Sequence, residues 1–267
     1  MSGLAGQLGR GMSEAQVQAT RDGAILFDAA ACGSERPDAA WFDPAHWGAQ
    51  GRARAYAGGR GGVAFVETPA GACVLRHYRR GGLAARVSTD KYLWTGARRT
   101  RPFREFRLLD HLAGSGLPVP APVAARYVRH GMYYLGDLIV RRIPDVETLA
   151  ERLDRGALDT VVAGRVGKTI ARFHAAGACH ADLNAHNVLL DDRNFVSLID
   201  FDRGRLRKPA LAWQQANLVR LRRSFDKLGA RKRIEDFDAR FWHPMLAAYH
   251  AALADRPVAT PARGAVR

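Results

Sequence analysis

Residues 180–202 read HADLNAHNVLLDDRNFVSLIDFD. Within this stretch Asn187 lies five positions after Asp182, and Asp200 lies thirteen positions after Asn187. Two short apolar runs follow Asn187 and are separated by a polar tetrapeptide, which is typical of a β-hairpin. We therefore predict a polar loop followed by a small hairpin, with three oxygen-bearing side chains gathered at one end of it.

These three side chains are of the kind that phosphoryl transfer requires. One carboxylate can accept or orient the proton of an attacking hydroxyl group. A second carboxylate and an amide oxygen can hold Mg²⁺, which prefers hard oxygen ligands. The protein then contributes mainly positioning and charge neutralisation. The alternative is a solvated loop that carries an aspartate in a turn.

Strand-like patterns dominate the first half of the chain and helical patterns the second. The predicted strands are 63–68, 73–78, 123–128 and 133–143, and the predicted helices begin near Phe103, after Pro144 and near Leu211. The first twenty residues are small and polar, and we expect a frayed tail there. The pattern predicts an α+β architecture of two lobes, with residues 1–143 mainly β and residues 144–267 mainly α.

The chain is strongly basic, with 41 Lys and Arg against 26 Asp and Glu and a net charge of +15. The whole excess lies in residues 76–107, with a net charge of +8, and 203–233, with a net charge of +10, and the rest of the chain is slightly acidic. Such clusters predict a polyanionic partner, which could be a nucleic acid, a nucleotide or an anionic lipid surface. The ordinary globular composition excludes a disordered chain. Three widely spaced cysteines predict reduced thiols and no metal site.

The stretch at 180–202 resembles the active-site motifs of the protein-kinase-like superfamily. The pattern H-R-D-L-x-x-x-N is matched at His180, Asp182, Leu183 and Asn187, with Ala181 in place of the arginine. The pattern D-F-G is matched at Asp200 and Phe201, with Asp202 in place of the glycine. The resemblance implies a two-lobed kinase-like fold, ATP as phosphate donor, Asp182 acting on the acceptor hydroxyl, and Mg²⁺ bound by Asn187 and Asp200. His180 is expected to support the loop, and Asp202 to adjoin the metal or to form a salt bridge.

The same resemblance assigns a nucleotide-binding role to residues in the first half of the chain. The glycine-rich segment Gly59, Arg60, Gly61 and Gly62 is expected to approach the phosphates through its backbone N–H groups. Kinases grip the phosphates with a strand lysine, but this strand carries none, and Arg76 occupies that place. We predict that Arg76 pairs with Glu105 of the following helix. Alternatively, Glu105 is a surface partner within its own helix.

The chain is also similar to the lipopolysaccharide-core sugar kinases, and among them to kinases of 3-deoxy-D-manno-octulosonic acid (Kdo). The matching segments are 59–61, 74–82, 92–96, 104–106, 116–120, 180–187 and 198–204. This similarity implies phosphorylation of a Kdo sugar on a lipid A precursor, at the cytoplasmic face of the bacterial inner membrane, by a peripheral protein. The basic segment 79–104, with Tyr92 and Trp94, is expected to receive the anionic acceptor. The alternative is a solvated charged loop.

Two other functions are compatible with the motifs. A heptose kinase of the same pathway, or an antibiotic kinase, would share the loop but not the acceptor pocket. A catalytically silent module that binds nucleotide or nucleic acid would account for the basic segments equally well. Because Asp182, Asn187 and Asp200 are all present, we expect an active kinase and no specific nucleic-acid partner.

Overall fold

The structure is a computed structural model, and it describes residues 15–55, 62–78 and 90–255. A large antiparallel sheet forms the first half of the chain. Its strands are Ala15–Thr20 (β1), Gly23–Asp28 (β2), Ala53–Ala55 (β3), Val63–Thr68 (β4), Gly71–His77 (β5), Tyr92–Leu93 (β6), Pro122–His130 (β7) and Tyr133–Arg141 (β8). The order across the sheet is β1-β2-β7-β8-β5-β4-β3, and β6 pairs with β8.

Helices and two small sheets form the second half. Within the described residues, the α-helices are Ala29–Cys32 (α1), Pro44–Ala49 (α2), Arg101–Gly114 (α3), Leu149–Asp154 (α4), Thr160–Ala175 (α5), Leu211–Lys227 (α6), Ala230–Arg233 (α7) and His243–Ala254 (α8). The small sheets contain Glu147–Thr148 (β9), Ala178–Cys179 (β10), Val188–Leu190 (β11), Val196–Leu198 (β12) and Arg205–Leu206 (β13). The predicted α+β, kinase-like fold is confirmed. The boundary at 143/144 stays a prediction, although the large sheet ends at Arg141 and the next strand pairs with β11.

Helix α3 covers the inner face of the large sheet. Its apolar stripe, Phe103, Phe106, Leu109 and Leu112, is buried as the spacing predicts. The stripe joins one hydrophobic core that continues through α5, β11 and α6 into the second half. This shared core fixes α3, and hence Glu105, relative to the loop at 180–187.

The outer face of the sheet has a separate core, which the sequence patterns did not predict. Residues 29–49 fold over this face and bury Trp41, Phe42 and Trp47 against β2, β4 and β5. The Trp47 indole donates to the Trp41 carbonyl at 2.9 Å, which satisfies its polar group inside the core. The expected frayed tail is wrong for residues 15–20, because β1 pairs with β2 over six residues. Its sequence AQVQAT alternates apolar and polar residues, but its side chains are exposed or half-buried, so the alternation marks no core face.

The side chains of strand β6 do not point where the basic, aromatic composition of the segment suggests. Tyr92 is buried against Tyr134, with ring centroids 5.6 Å apart, whereas Leu93 points outward. Trp94 is half-buried on Tyr127. The expected contact of Tyr92 with an anionic acceptor is therefore wrong, because alternation along the strand places its ring in the core.

In the helical half, α5 and α8 pack with their backbones in close approach. A Cβ atom on Gly167 would lie 2.2 Å from the Met245 carbonyl oxygen, so only glycine fits there. The face of α6 predicted to be apolar is buried at Leu218, Leu221 and Phe225. Among the described residues, no helix has both the length and the apolar character that crossing a bilayer demands.

His174 of α5 joins three helices through buried hydrogen bonds. Its Nε2 donates to the Asn217 Oδ1 atom of α6 at 3.4 Å, and its Nδ1 accepts from the Tyr249 hydroxyl of α8 at 2.8 Å. Burial lowers the pKa of His174 to about 4. The imidazole is therefore neutral in the folded protein at neutral pH.

We expect acidification to weaken this junction. In the unfolded chain His174 takes up its proton near its ordinary pKa of 6.5, whereas the folded protein resists protonation until about pH 4. Stability is lost as pH falls through this window, by about 3 kcal/mol for this one group. Urea unfolding from pH 7 to pH 4 should show a shallower acid loss in His174→Gln than in the wild type. The exposed His111→Gln is the control, and equal pH slopes in all three proteins would contradict the assignment.

Candidate active site

His180 ties the loop at 180–187 to the end of β12. Its Nε2 donates to the Ile199 carbonyl at 2.8 Å, and its Nδ1 accepts from the Asp182 backbone N–H at 3.1 Å. Burial lowers the pKa of His180, so the imidazole stays neutral with one donor and one acceptor. Its ring also packs on Phe201 at 4.6 Å. As predicted, His180 supports the loop.

Asn217 of α6 holds the same residue from the other side, and no motif or spacing in the sequence marks it. Its Nδ2 donates to the His180 carbonyl at 2.9 Å, and its Oδ1 accepts from the His180 N–H at 3.3 Å. Asn217 is buried. The only signal is a polar residue on the mainly apolar buried face of α6, which also carries Gln214.

The predicted hairpin is confirmed, with β11 and β12 in the register Val188 to Leu198. Beyond this pair, the Ile199 N–H donates to the Asn187 carbonyl at 3.1 Å, so Asn187 lies beside the chain that leads into Asp200. The Asn187 Nδ2 atom donates to the Asp182 carbonyl at 2.9 Å. The structure therefore brings Asp182, Asn187 and Asp200 to one end of the hairpin.

The carboxylate of Asp182 is exposed at the mouth of this group. Its Oδ2 accepts from the Asn184 amide at 3.1 Å, and the same amide donates to the Asp182 carbonyl at 3.1 Å. Asn184 thus orients the carboxylate without burying it. The sequence motif contained Asn184, but nothing in its spacing assigned it this role.

Asp200 sits at a strained turn. Its φ is +60°, in the left-handed region that costs a non-glycine residue of order 1 kcal/mol or more. Arg203, three residues on, has the same φ. The turn leaves the Asp200 carboxylate 41% exposed, with one oxygen paired to Arg76. Such strain is common where a chain must present a side chain to a ligand.

Arg76 connects this turn to helix α3, and the predicted pair with Glu105 is present. One guanidinium nitrogen donates to the Asp200 Oδ1 atom, and the other donates to the Glu105 Oε2 atom at 2.5 Å. The Tyr78 hydroxyl donates to the same Glu105 oxygen at 2.6 Å. The Glu105 side chain is 2% exposed, so its alternative role as a surface partner is wrong.

The charges of this cluster depend on one another. Burial raises the pKa of Glu105, and the Arg76 charge opposes that shift. Burial lowers the pKa of Arg76, but the charges of Glu105 and Asp200 more than offset this, so the guanidinium stays protonated. An arginine suits the place because its fork reaches two carboxylates at once, which a single ammonium group does with poorer geometry.

The oxygen donors fit a magnesium ion. Among the residues described, no cluster of three or more His, Cys, Asp or Glu side chains could hold a metal. Mg²⁺ needs fewer protein ligands, because it keeps waters and takes phosphate oxygens from a nucleotide. The Asp200 carboxylate and the Asn187 amide oxygen are ligands of the required type. The Asn187 Nδ2 atom donates to the Asp182 carbonyl, so the amide oxygen is the atom of Asn187 that would bind the metal.

Part of the predicted nucleotide segment lies outside the described residues, namely Gly59, Arg60 and Gly61. Gly62 is described and has a φ of +122°, which favours glycine. Its carbonyl accepts from the His77 N–H at 2.7 Å, and Val63 pairs with Arg76 across the strands. The end of the glycine-rich segment therefore lies next to the strand that carries Arg76.

A cavity of about 630 Å³ opens elsewhere, on the outer face of the sheet. Phe42, Leu75 and His77 line part of it, and none of the residues of the cluster at Arg76 does. Because Leu75 and His77 alternate with Arg76 along β5, this cavity lies on the opposite face of the sheet. The cavity is therefore separate from the cluster at Arg76, although Gly62, at the end of the glycine-rich segment, also lines it.

Comparison with known proteins agrees with this geometry. The sequence profile of the lipopolysaccharide kinase (Kdo/WaaP) family matches residues 44–249. The chain belongs to this family.

Individual members of the family are similar over most of their length. A 3-deoxy-D-manno-octulosonic acid kinase of Stenotrophomonas maltophilia (strain R551-3) is 50% identical over 220 residues, covering 80% of this chain and 84% of that protein. A kinase of the same name from Xanthomonas campestris pv. campestris (strain B100) is 50% identical over 222 residues, covering 81% and 85%. The namesake from Xanthomonas oryzae pv. oryzae (strain PXO99A) is 48% identical over the same length.

This Kdo/WaaP family member carries a second bridge between α3 and the turn at Asp200. Asp202, which replaces the D-F-G glycine, pairs with Arg101 at the start of α3, with Nε to Oδ1 at 2.7 Å. Of the two roles expected for Asp202, the structure shows the salt bridge. The Arg101 guanidinium also lies 4.7 Å from the Tyr92 ring centroid. Arg76 and Arg101 thus tie one helix to Asp200 and Asp202 without any phosphorylated residue.

We expect Asp202→Asn to lower the turnover of the kinase about tenfold, because a loosened α3 misplaces Glu105 and Arg76. Both side chains of the Arg101–Asp202 pair keep some access to water, although most of their surface is buried. Loss of the pair should therefore cost only about 1 kcal/mol of stability. Steady-state kinetics would measure the first effect and urea unfolding the second. The Arg101→Met/Asp202→Asn double variant should lose no more turnover than either single variant. Unchanged turnover in Asp202→Asn would contradict a positioning role.

Proposed function

We propose that this chain is an ATP- and Mg²⁺-dependent 3-deoxy-D-manno-octulosonic acid kinase, acting on a Kdo hydroxyl of a lipid A precursor. The observation that carries the proposal is the meeting of Asp182, Asn187 and Asp200 at one hairpin end, facing Arg76. The proteins that are about half identical over four-fifths of the chain bear the name of this reaction. The chemistry of the site therefore supports phosphoryl transfer, and relatedness supports Kdo as the acceptor.

The roles of the side chains follow from their contacts. Asp182 has an exposed carboxylate held by Asn184, and it accepts the proton of the sugar hydroxyl as that oxygen attacks phosphorus. Arg76 offers its charge to the transferring phosphate. Asn187 and Asp200 would hold Mg²⁺, which supplies charge neutralisation on the nucleotide phosphates. The glycine-rich segment from Gly59 to Gly62 would complete the phosphate site.

The acceptor is a lipid, so we place the protein at the cytoplasmic face of the inner membrane, bound peripherally. Its net charge of +15 favours an anionic surface. The exposed flank of α6, with Arg220, Arg223 and Lys227, contributes to this field. No specific nucleic-acid partner is part of the proposal.

The experiment is a comparison of acceptors with the full chain, ATP and Mg²⁺. The acceptors are a Kdo-bearing lipid A precursor, a heptosylated core and an aminoglycoside, and mass spectrometry of each product locates the added phosphate. We expect phosphate on the Kdo sugar and none on the aminoglycoside. Phosphate on heptose alone would support the heptose kinase alternative. Salt-sensitive RNA binding without ATP turnover would support the silent module.

A further inference from the structure

Three exposed apolar side chains lie together at the tip of the β7–β8 hairpin. Leu93 is 54% exposed, Met132 is 69% exposed and Tyr133 is 46% exposed. Leu93 and Tyr133 are direct partners across β6 and β8, so their side chains stand on the same face. The Trp94 N–H donates to the Met132 carbonyl at 2.8 Å, which holds Met132 beside them. We name these three residues the apolar tip.

The backbone aims the apolar tip away from the core. Tyr92 precedes Leu93 in the sequence, and Tyr134 follows Tyr133. Both Tyr92 and Tyr134 are buried on the reverse face. Because two pairs of adjacent residues alternate in this way, the exposure belongs to paired strands rather than to a loose loop. A clustered apolar surface on ordered strands indicates a contact surface.

Basic residues lie close to the apolar tip along the chain and on the neighbouring turn. The exposed ones on its own and neighbouring segments are Arg21, Lys91, Arg98, Arg99 and Arg129, against the acidic residues Asp22 and Asp90. The Arg129 N–H donates to the Asp22 carbonyl at 2.7 Å, which brings the turn with Arg21 alongside. The Arg129 side chain donates to the Gly131 carbonyl at 2.9 Å and covers the Trp94 ring. Apolar side chains with a cationic rim complement an anionic lipid surface, where tails and headgroups meet.

The reverse side of the apolar tip adjoins the candidate active site. The Tyr134 hydroxyl accepts from the Arg101 N–H at 2.9 Å, and the Arg101 guanidinium packs on Tyr92. Arg101 in turn pairs with Asp202, two residues from Asp200. One layer of side chains therefore separates the apolar tip from the turn at Asp200.

We propose that the apolar tip inserts into the surface of an anionic bilayer and holds the active site next to the lipid-borne acceptor. This inference rests on the proposed function for its acceptor, but the docking itself does not need turnover. A protein partner would also accept an apolar surface. The cationic rim and the lipid substrate of the family favour the membrane.

The experiment separates docking from chemistry. Sedimentation of the full chain with vesicles of phosphatidylglycerol and phosphatidylcholine measures the first, and phosphate transfer to a water-soluble, deacylated Kdo acceptor measures the second. We expect Met132→Ser/Tyr133→Ser to weaken vesicle binding at least tenfold and Arg129→Gln to weaken it about fivefold. Soluble transfer should be unchanged in both. The matched control is Phe195→Ser, whose wild-type side chain is 51% exposed on the β11–β12 turn.

The outcomes are distinct. Weaker vesicle binding in the tip variants, with Phe195→Ser like the wild type, supports the docking surface. Equal vesicle binding in Met132→Ser/Tyr133→Ser and wild type overturns it, as does equally strong binding of the wild type to vesicles of pure phosphatidylcholine. Failure of the wild type to phosphorylate the soluble acceptor overturns the proposed function instead, and the vesicle result can still be read.

Discussion

Asp182→Asn is expected to lower the turnover number for phosphate transfer at least about 10²-fold, the usual scale for a positioned base. The amide has the shape of the carboxylate but does not accept a proton from the sugar hydroxyl. The backbone contacts of Asp182 with His180 and Asn187 do not involve its side chain, so the loop should keep its form. The KM for ATP should therefore change little, because the loss falls on the chemical step.

The control for this variant is Asp192→Asn. Asp192 is an exposed aspartate in the hairpin turn of the same motif, away from the cluster at Asn187. The Asp192→Asn variant should transfer phosphate at the wild-type rate. Turnover in Asp182→Asn within a few-fold of wild type would remove Asp182 from the mechanism and leave the hydroxyl to be deprotonated by solvent or by the nucleotide.

Arg76→Met is expected to damage both stability and turnover. The substitution leaves Glu105 buried without its cation, and breaking a buried pair in this way costs about 3 kcal/mol. It also removes the charge placed to meet the transferring phosphate, which should lower turnover by about 10²-fold. Urea unfolding measures the first effect, and steady-state kinetics at saturating ATP measures the second.

Two companion variants separate these effects. Glu105→Gln combined with Arg76→Met removes the stranded carboxylate and should recover part of the lost stability without recovering turnover. Arg76→Lys keeps the charge but loses the fork that joins Glu105 to Asp200, so it should retain more turnover than Arg76→Met. If Arg76→Met unfolded at the wild-type urea concentration and transferred phosphate at the wild-type rate, the cluster would be a surface feature without function.

The two bridges from α3 have a common consequence for regulation. Many kinases fix the corresponding helix only when a phosphorylated loop supplies charge. Here carboxylates at positions 200 and 202 meet Arg76 and Arg101 directly. The helix is held by the chain's own charges.

Much of the architecture was predictable because it depends on local periodicity. The stripe of α3 repeats every three residues, and the hairpin at β11 and β12 joins two apolar runs through a four-residue polar turn. The spacing of Asp182, Asn187 and Asp200 likewise holds within one short segment. Such patterns act over distances of a few residues, where helix and strand geometry alone decide which side chains share a face.

Other features could not be predicted from sequence periodicity. Residues 29–49 carry scattered aromatic residues, and only the presence of the sheet's outer face gives them something to cover. Asn217 is an ordinary polar residue until α6 brings it to the backbone of His180. Tyr92 reads as a surface aromatic in a basic segment, and its pairing with Tyr134 buries it.

The sequence by itself determined the family's motifs, the order of strands before helices, and the identity of the three oxygen donors. Only the tertiary structure decided which charges meet, since Arg76 reaches Asp200 across 124 residues and Arg101 reaches Asp202 across 101. The physical reason is range. Backbone periodicity is fixed by neighbours along the chain, whereas the pairing of two distant side chains is fixed by how the sheet, the helix and the hairpin pack around a shared core.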